Sequence, residues 1–440
     1  MKQILPSDEA ALKLCGIPKR KENTQYRMTR HCISAPCEDG TLLYQTMTCG
    51  LYLLENGGTI EDCADALIAA WLLVPEGYDE QKTVRDMREV GAYFLPQKER
   101  KAGFTILTTT DCNARCFYCY EMGCKRQHMT PQVAHDVAAY IAERCGGKPV
   151  NLNWFGGEPL YNREAIEIII GELKDRGIEH SSAMTSNGYY LDRETAKIAR
   201  NDWKLNRVQI TLDGTREVYN RTKAYIEHDA DAFDRVLDNI SFALDEGILI
   251  NIRLNMDKKN ADDLFRLADI LGERFCGREG FSAYATLLQE FKGRINDFES
   301  IQKAAERCIA LQDKLWALGL QGGGSLQREF IFRRCMADND ASELIMPDGT
   351  LDKCEHFNVE DSYGSIYTNE RNEDILRAWK EWEYYPECDG CALYPQCFNL
   401  KKCEWLQDGC QRASRLVTLH RIERQILTAY QDYLDGKLKQ

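Results

Sequence analysis

The sequence predicts an α/β fold built on a parallel sheet that helices cover. From about residue 101 onward, segments with strand character alternate with segments of helical periodicity, of which Val133–Arg144 is one. Such alternation is typical of parallel sheets, because each crossover between parallel strands needs a connection about as long as a helix. The predicted strands are Phe104–Thr110, Val150–Phe155, Ser181–Ser186, Arg207–Leu212, Ile248–Asn255 and Phe281–Leu288.

Six such strands, separated by five helical segments, fit a partial TIM-like barrel of the (β/α)6 type. The active site of such a barrel lies at the carboxyl ends of its strands. The loop after the first predicted strand carries three closely spaced cysteines. We therefore expect the chemistry of the protein at this end of the sheet.

The chain before the barrel has its own strand and helix signals. Two short strands are predicted at Leu42–Tyr44 and Leu51–Leu54. Thr59 is predicted to cap a helix that ends at Pro75, and a second helix is predicted over residues 79–94. The apolar positions of the first helix follow the i, i+3, i+4, i+7 spacing and are Ala64, Leu67, Ile68 and Trp71.

The chain after the barrel is rich in cysteine and poor in long apolar segments. Gly322–Gly324 are interpreted as a linker, and a last helix is predicted over residues 412–435. A segment with so little apolar core needs another source of stability, for which metal clusters are suited. The predicted units are residues 1–100, 101–325 and 326–440.

Composition excludes several classes of protein. The net charge of −13 argues against a general nucleic-acid binder, because no excess of basic residues is available for phosphates. No segment approaches the roughly 18 apolar residues that a membrane helix needs. The N-terminus carries acidic residues where a secretory signal would be apolar, so we expect a cytoplasmic protein without membrane partners.

Ten of the 19 cysteines fall into two groups with metal-ligand spacing and are interpreted as metal ligands rather than disulfides, since the chain is neither short nor signal-bearing; the other nine are interpreted as packing residues. Cys112, Cys116 and Cys119 have x3 and x2 spacing. Three thiolates so spaced can hold three irons of a 4Fe–4S cluster and leave the fourth iron open. The alternative is a zinc site, for which Cys124 would be the fourth ligand.

This spacing resembles the signature of the radical S-adenosylmethionine (radical SAM) enzymes. The resemblance implies that the open iron binds S-adenosylmethionine. One electron, from a reductant such as flavodoxin or ferredoxin, then yields a 5′-deoxyadenosyl radical that abstracts hydrogen from a substrate. The cofactor supplies this chemistry, and the protein supplies orientation and exclusion of water.

Three elements at the strand ends extend the resemblance. Gly156-Gly157-Glu158-Pro159 matches the GGEP element, Ser186-Asn187 matches the ribose element, and Thr211-Leu212-Asp213-Gly214 matches an S-L-D-G element. A turn without a ligand role is the alternative for Asn187. The resemblance assigns cofactor binding to Tyr118, Gly156, Gly157, Glu158, Ser186, Asn187, Thr211, Asp213 and Arg221. Arg253 and Asn255, at the end of the fifth strand, are further candidates for residues that point toward the cofactor site.

The second cysteine group resembles the SPASM domain that follows many radical SAM barrels. The resemblance implies two auxiliary 4Fe–4S clusters, an outer one held by Cys388, Cys391, Cys397 and Cys410 and an inner one held by Cys335, Cys354 and Cys403. The spacing departs from the family at Cys403 and Cys410. With three cysteines, the inner cluster is hypothesised to have an open or non-cysteine position. A zinc-ribbon segment is the alternative.

The resemblance also implies a substrate class. The N-terminal unit resembles a winged-helix element that binds the leader of ribosomally made precursor peptides, for which strand addition is a plausible mode; a structural cap on the barrel is the alternative. We therefore expect a peptide maturase that forms a thioether or carbon–carbon crosslink. The alternatives are a sulfatase-type formylglycine-generating enzyme, an enzyme of small-molecule or cofactor biosynthesis, and a non-enzymatic scaffold. Glu355, next to Cys354, is the candidate base, the alternative being a solvated surface residue.

Overall fold

A computed structural model of the chain describes residues 1–16, 20–94, 102–288, 300–321, 325–331, 335–356, 361–394, 397, 400–403, 410 and 412–438. The predicted linker at Gly322–Gly324 lies outside these residues. Within the described ranges, no helix combines the length and the apolar character that crossing a membrane requires.

Within its described residues, 1–16 and 20–94, the N-terminal part contains two small antiparallel sheets and three helices. Its elements are β1 (Lys2–Leu5), α1 (Glu9–Cys15), β2 (Tyr26–Met28), β3 (Cys32–Cys37), β4 (Gly40–Gln45), β5 (Leu51–Glu55), α2 (Ala64–Ala69), β6 (Leu73–Pro75) and α3 (Glu80–Phe94). The strands pair in the order β1-β5-β4-β3, and β2 pairs with β6. The two predicted strands are β4 and β5, and the second predicted helix is α3.

The first predicted helix is shorter than its apolar spacing suggested. Thr59 does not cap it: the Thr59 hydroxyl accepts a hydrogen bond from the Asp62 amide at 3.2 Å in a turn before the helix. Trp71 lies beyond the helix with a φ of 59°, and strand β6 follows directly. The prediction was wrong at both ends. A turn that contains Thr59 and Asp62 precedes the helix, and the apolar spacing continues past the end of the helix to Trp71.

The parallel strands and their helices form the centre of the molecule. They are β7 (Ala102–Thr109), α4 (Pro131–Cys145), β8 (Val150–Gly156), α5 (Arg163–Asp175), β9 (His180–Ser186), α6 (Arg193–Asn201), β10 (Leu205–Thr211), α7 (Arg216–Lys223), α8 (Ala232–Asp245), β11 (Leu249–Met256), α9 (Ala261–Phe275) and β12 (Phe281–Leu287). Each predicted strand is present, with its bounds shifted by no more than two residues. The prediction of an α/β fold on a parallel sheet is confirmed.

The last part of the chain extends this sheet and then closes with a long helix. Its elements are α10 (Ile301–Ala317), β13 (Ser342–Ile345), β14 (Thr350–Asp352), β15 (Gly364–Ser365), α11 (Glu373–Ala378) and α12 (Arg412–Leu434). The nine strands are ordered β12-β11-β10-β9-β8-β7-β13-β14-β15. β13 is parallel to β7, whereas β14 and β15 are antiparallel additions. The sheet stays open, as a partial barrel requires.

Side chains alternate between the two faces of the parallel strands. On one face, apolar residues such as Trp154, Met184 and Ile252 are buried in a core shared with the helices. The opposite face, here called the inner face, carries less buried and mostly polar residues: Asn153, Thr185, Gln209, Asn251, Arg253, Ser282 and Tyr284. The inner face is therefore built to meet water or a polar ligand.

The N-terminal part packs against the end of the chain. Ile33 and Leu42 share an apolar cluster with Ile426 of α12. The Tyr430 hydroxyl donates to the Asp39 carboxylate at 2.6 Å. These contacts bring the first sheet and the last helix together.

A buried carboxylate joins two elements of the N-terminal part. Glu80, at the start of α3, is 3% exposed and forms an ion pair with Arg27. It also accepts hydrogen bonds from the Thr29 hydroxyl at 2.6 Å and the Arg30 amide at 2.9 Å. α3 is thus anchored to the segment that follows β2.

We expect Glu80→Gln to destabilise this region by about 2 kcal/mol, because charge-assisted bonds are lost at a buried site. Amide hydrogen exchange, followed by mass spectrometry over residues 26–31, should accelerate by more than tenfold. Glu76→Gln, at an exposed position nearby, is the control. Unchanged protection in Glu80→Gln would contradict the anchoring role.

Candidate active site

Three cysteines lie in the loop that follows β7. Cys112, Cys116 and Cys119 are half-buried, and their thiols are near enough to influence one another electrostatically. Burial raises the pKa of each thiol, that of Cys119 to about 11. Thiolates at these positions therefore need a nearby cation, which iron would supply. Among the residues that the structure describes, no three His, Cys, Asp or Glu side chains converge on one ion; the thiols of a 4Fe–4S cluster each bind a different iron.

The glycines after β8 let two loops approach closely. The Gly157 amide donates to the Thr109 carbonyl at 3.1 Å, and the Glu158 amide donates to the Asp111 carbonyl at 3.0 Å. A Cβ on Gly157 would lie 2.2 Å from the Asp111 carbonyl oxygen. Gly156 has a φ of +110°, which favours glycine. The two glycines form a cradle directly beside the cysteine loop, as a cluster-bound ligand would require.

Glu158 connects the ends of β8 and β9. Its carboxylate is fully buried and accepts hydrogen bonds from the Leu160 amide at 3.1 Å, the Ser186 hydroxyl at 2.9 Å and the Asn187 amide at 2.7 Å. Burial raises the pKa of Glu158 to about 7, although these hydrogen bonds oppose the rise. The structure thus brings Glu158, Ser186 and Asn187 together.

Asn187 in turn contacts the cysteine loop. Its side-chain amide donates to the Asn113 Oδ1 atom at 2.7 Å and lies 3.8 Å from the Cys112 Sγ atom. Asn113 is buried and was not identified from the sequence. In the sequence, Asn113 is one of three residues between Cys112 and Cys116, and nothing distinguishes it there as a contact of Asn187.

Asp213 lies in a buried group with Tyr118 and Lys223. The Tyr118 hydroxyl is 2.9 Å from both oxygens of the Asp213 carboxylate, and the Lys223 ammonium is 3.0 Å from one of them. The backbone carbonyl of Lys223 also accepts from the Arg115 amide at 2.7 Å. The end of α7 is therefore attached to the cysteine loop by both backbone and side chain.

Arg221 is not part of this group. Its side chain is 69% exposed and lies 3.8 Å from Glu217 on the outer side of α7. Lys223 shares a buried helix face with Tyr219, four residues earlier. This i, i+4 relation was the signal in the sequence that distinguishes Lys223 from Arg221.

β10 and β11 end at the same edge of the parallel sheet as β7, which precedes the cysteine loop. Thr211 ends β10, is partly exposed and pairs in register with Arg253. The Arg253 Nε atom and the Asn255 Oδ1 atom are buried without a hydrogen-bond partner among the described residues. These atoms are available to a ligand.

The second cysteine group falls into two sets in space. Cys335, Cys354 and Cys403 surround the apolar residues Ala337, Trp379 and Leu400. Cys388, Cys391 and Cys397 lie around Tyr394. Cys410 is near enough to Cys388 to affect the pKa of that thiol, which burial raises. The partition matches the inner and outer sets expected from the sequence.

Glu355 follows Cys354 at the edge of the inner face. Its side chain is partly buried, and burial raises the pKa of its carboxyl, whereas the positive charge of Arg253 lowers it. His356 packs on the Tyr120 ring with a centroid distance of 4.3 Å. The segment after Cys354 therefore meets the segment after Cys119.

Comparisons with known proteins agree with this site. The family model of the radical SAM superfamily matches residues 106–271. Fe-coproporphyrin III synthase of Methanosarcina barkeri is 26% identical over 200 residues, which cover 45% of this chain and 48% of that protein. The probable GTP 3′,8-cyclase of Saccharolobus solfataricus is 31% identical over 169 residues, which cover 38% of this chain and 51% of that protein. The chain spans about half the length of these curated relatives.

Two solved structures share the fold over more of the chain. The structure of native anSMEcpe with bound AdoMet and Cp18Cys peptide has a TM-score of 0.55 at 16% identity, covering 75% of this chain and 99% of that one. The structure of SuiB of Streptococcus suis has a TM-score of 0.51 at 13% identity, covering 87% of this chain and 95% of that one. The likeness extends beyond the parallel sheet in both cases.

We expect Gly157→Ala to raise the dissociation constant of S-adenosylmethionine at least about tenfold, because the added Cβ forces the two loops apart. Gly171→Ala, in α5 with open space around the added carbon, is the matched control. The constant would be measured by equilibrium dialysis on iron-reconstituted protein. Wild-type affinity in Gly157→Ala would contradict the cradle.

We expect Lys223→Met to weaken S-adenosylmethionine binding about tenfold or more, since the buried Asp213 carboxylate loses its ion pair. Arg221→Met should change the dissociation constant less than twofold, because that side chain is solvated. A larger effect of Arg221→Met than of Lys223→Met would show that the sequence-based choice of Arg221 was the better one.

Proposed function

We propose that this chain is a radical SAM enzyme and that it modifies a ribosomally made precursor peptide. In this proposal it cleaves S-adenosylmethionine reductively, abstracts a hydrogen atom from the core of the peptide and installs a thioether or carbon–carbon crosslink. Flavodoxin or ferredoxin is the proposed reductant, in keeping with a cytoplasmic protein.

One observation carries the proposal. The polar inner face runs from the cysteine loop at β7 toward the second cysteine group, and Glu355 lies where the two regions meet. A polar face with a radical site at one end and a candidate base at the other suits a substrate that loses a hydrogen atom, a proton and one electron, and an auxiliary cluster held by the second cysteine group would accept that electron. The fold shared with anSMEcpe, whose structure holds a bound peptide, gives further support.

The residues of the barrel have distinct proposed tasks. Cys112, Cys116 and Cys119 would hold the 4Fe–4S cluster, which when bound supplies the electron for cleavage of S-adenosylmethionine. The glycine cradle and the group of Glu158, Ser186 and Asn187 would position that ligand beside the cluster. Lys223 and Asp213 would hold the Tyr118 side chain in place, and Tyr118 would in turn position the cysteine loop.

The second cysteine group is proposed to hold two auxiliary clusters. Cys388, Cys391, Cys397 and Cys410 would bind the outer one, and Cys335, Cys354 and Cys403 the inner one. Three cysteines leave one position of the inner cluster to a non-cysteine ligand or to substrate. Mössbauer evidence for a fourth protein thiolate on the inner cluster would overturn this part.

Glu355 is proposed to accept the proton that the substrate loses. Burial raises the pKa of its carboxyl. A raised pKa means that Glu355 takes up a proton at a higher pH than a solvated glutamate does. Crosslink formation should therefore fall as the pH is lowered through that pKa, while formation of 5′-deoxyadenosine continues.

A second candidate function is the synthesis of a small-molecule cofactor. It is favoured by the relatives found by sequence, a GTP 3′,8-cyclase and an Fe-coproporphyrin III synthase. These likenesses cover less than half of this chain. The second cysteine group and the N-terminal sheets lie outside the matched family region, at residues 106–271.

The test is a turnover experiment with the anaerobically reconstituted full chain, dithionite and a short peptide encoded beside its gene. We expect 5′-deoxyadenosine together with a peptide that has lost two hydrogen atoms, both measured by mass spectrometry. Glu355→Gln should form 5′-deoxyadenosine but at least about tenfold less crosslinked peptide. Glu373→Gln, at an exposed position of α11, is the control.

Two outcomes would contradict different parts of the proposal. Turnover of GTP or a porphyrin with no change in any peptide would support the cofactor-synthesis alternative. Equal crosslinking by wild type and Glu355→Gln would remove Glu355 from the reaction but leave the peptide function intact.

A further inference from the structure

Two arginines approach the inner face of the sheet without an acidic partner. Arg253 is on β11, and Arg421 is on α12. Neither has a carboxylate within ion-pair distance among the residues that the structure describes. Unpaired cations in a protein interior are costly, so a pair of them suggests an anionic ligand.

Tyr284 is near both arginines. Arg253 and Tyr284 are register partners on adjacent strands, so their side chains leave the same face. The Tyr284 hydroxyl donates to the Gln209 Oε1 atom at 2.9 Å, which places its ring across β11. The positive charges of Arg253 and Arg421 both act on this phenol. The two arginines therefore face one region of the inner face.

The side chains of this region are at least partly exposed. The Arg421 side chain is exposed, although burial lowers the pKa of its guanidinium group. Arg253 and Tyr284 are only half-buried, and the Arg253 Nε atom is fully buried without a partner. A ligand from solution can therefore reach these side chains.

Other charged groups around the region do not neutralise it. Glu355 and His356 approach Arg253 from the segment after Cys354. Glu355 contributes one negative charge against two arginines, and it is further than 4.0 Å from either guanidinium group. One further carboxylate would balance the cluster.

We propose that Arg253 and Arg421 bind a carboxylate of the substrate peptide over Tyr284, next to Glu355. Each guanidinium group is planar and can donate two parallel hydrogen bonds to a carboxylate. The carboxylate comes from an acidic side chain of the core peptide or from its C-terminus. This proposal rests on the proposed function.

The first test uses the peptide accepted by the enzyme, with each Asp or Glu replaced in turn by Asn or Gln, and with an amidated C-terminus. With the wild-type enzyme, one of these changes should raise KM about 10- to 100-fold with little change in kcat. With Arg253→Gln or Arg421→Gln, KM for the unchanged peptide should rise similarly, and the same peptide change should have no further effect. The peptide change that raises KM shows whether the bound carboxylate belongs to an acidic side chain or to the C-terminus.

The controls separate charge from structure. Arg253→Lys and Arg421→Lys should restore part of the affinity, because the positive charge is retained. Arg424→Gln, on the same helix but paired with Asp313 at 2.8 Å, should leave KM unchanged. Unchanged KM in both Arg→Gln variants, or additive effects of the enzyme and peptide changes, would overturn the proposal.

A second test needs no peptide. Phenylglyoxal modifies accessible arginines, and labelling of Arg253 and Arg421 in the reconstituted enzyme would be located by mass spectrometry. Glutarate should protect these two residues and leave Arg424 unaffected. If glutarate protects Arg253 and Arg421 from phenylglyoxal but the enzyme modifies no peptide, the carboxylate site is supported and the proposed peptide function is contradicted. Labelling that glutarate does not change would reject the site itself.

Discussion

The alternation of side chains along the parallel strands β8 to β12 is the constraint on which the rest of the molecule depends. About one residue in two faces the helices, and most of these residues are apolar and buried. The other residues are released from packing and carry amides, hydroxyls and charges. A one-residue shift of any strand would exchange the two faces, and would place Arg253 or Gln209 in the apolar core. Stability and function are thus separated by the direction of each side chain.

The acids around the site are stabilised in different ways. Glu158 is held by backbone amides and a hydroxyl, whereas Asp213 is held by an ammonium group and a phenol. Both arrangements tie a strand end to the cysteine loop, so the loop is positioned from β8, β9 and α7 together. Hydrogen bonds and ion pairs of this kind maintain the geometry of a site better than apolar contacts do, since they have direction.

The strands, the cysteines and the strand-end elements could be predicted because each leaves a local pattern. The strands are short apolar segments at regular intervals, and the cysteine spacings are read directly. Trp71 misled the prediction because an apolar residue at helical spacing looks the same in a helix and just beyond it. Lys223 was overlooked in favour of Arg221, since the choice depends on which face of α7 is buried. The proximity of Arg421 to Tyr284 joins residues far apart in the chain, and no local pattern carries that information.

The contact between the first sheet and the last helix has a consequence for synthesis. Asp39 and Tyr430 are separated by 391 positions, so the surface that α12 covers waits for nearly the whole chain. At typical rates of translation this interval is about 20 to 80 seconds. During that time the apolar cluster around Ile33 and Leu42 lacks the residues that α12 contributes to it, and the nascent N-terminal segment is open to association with other chains. The ribosome must complete the last helix before the first sheet is protected.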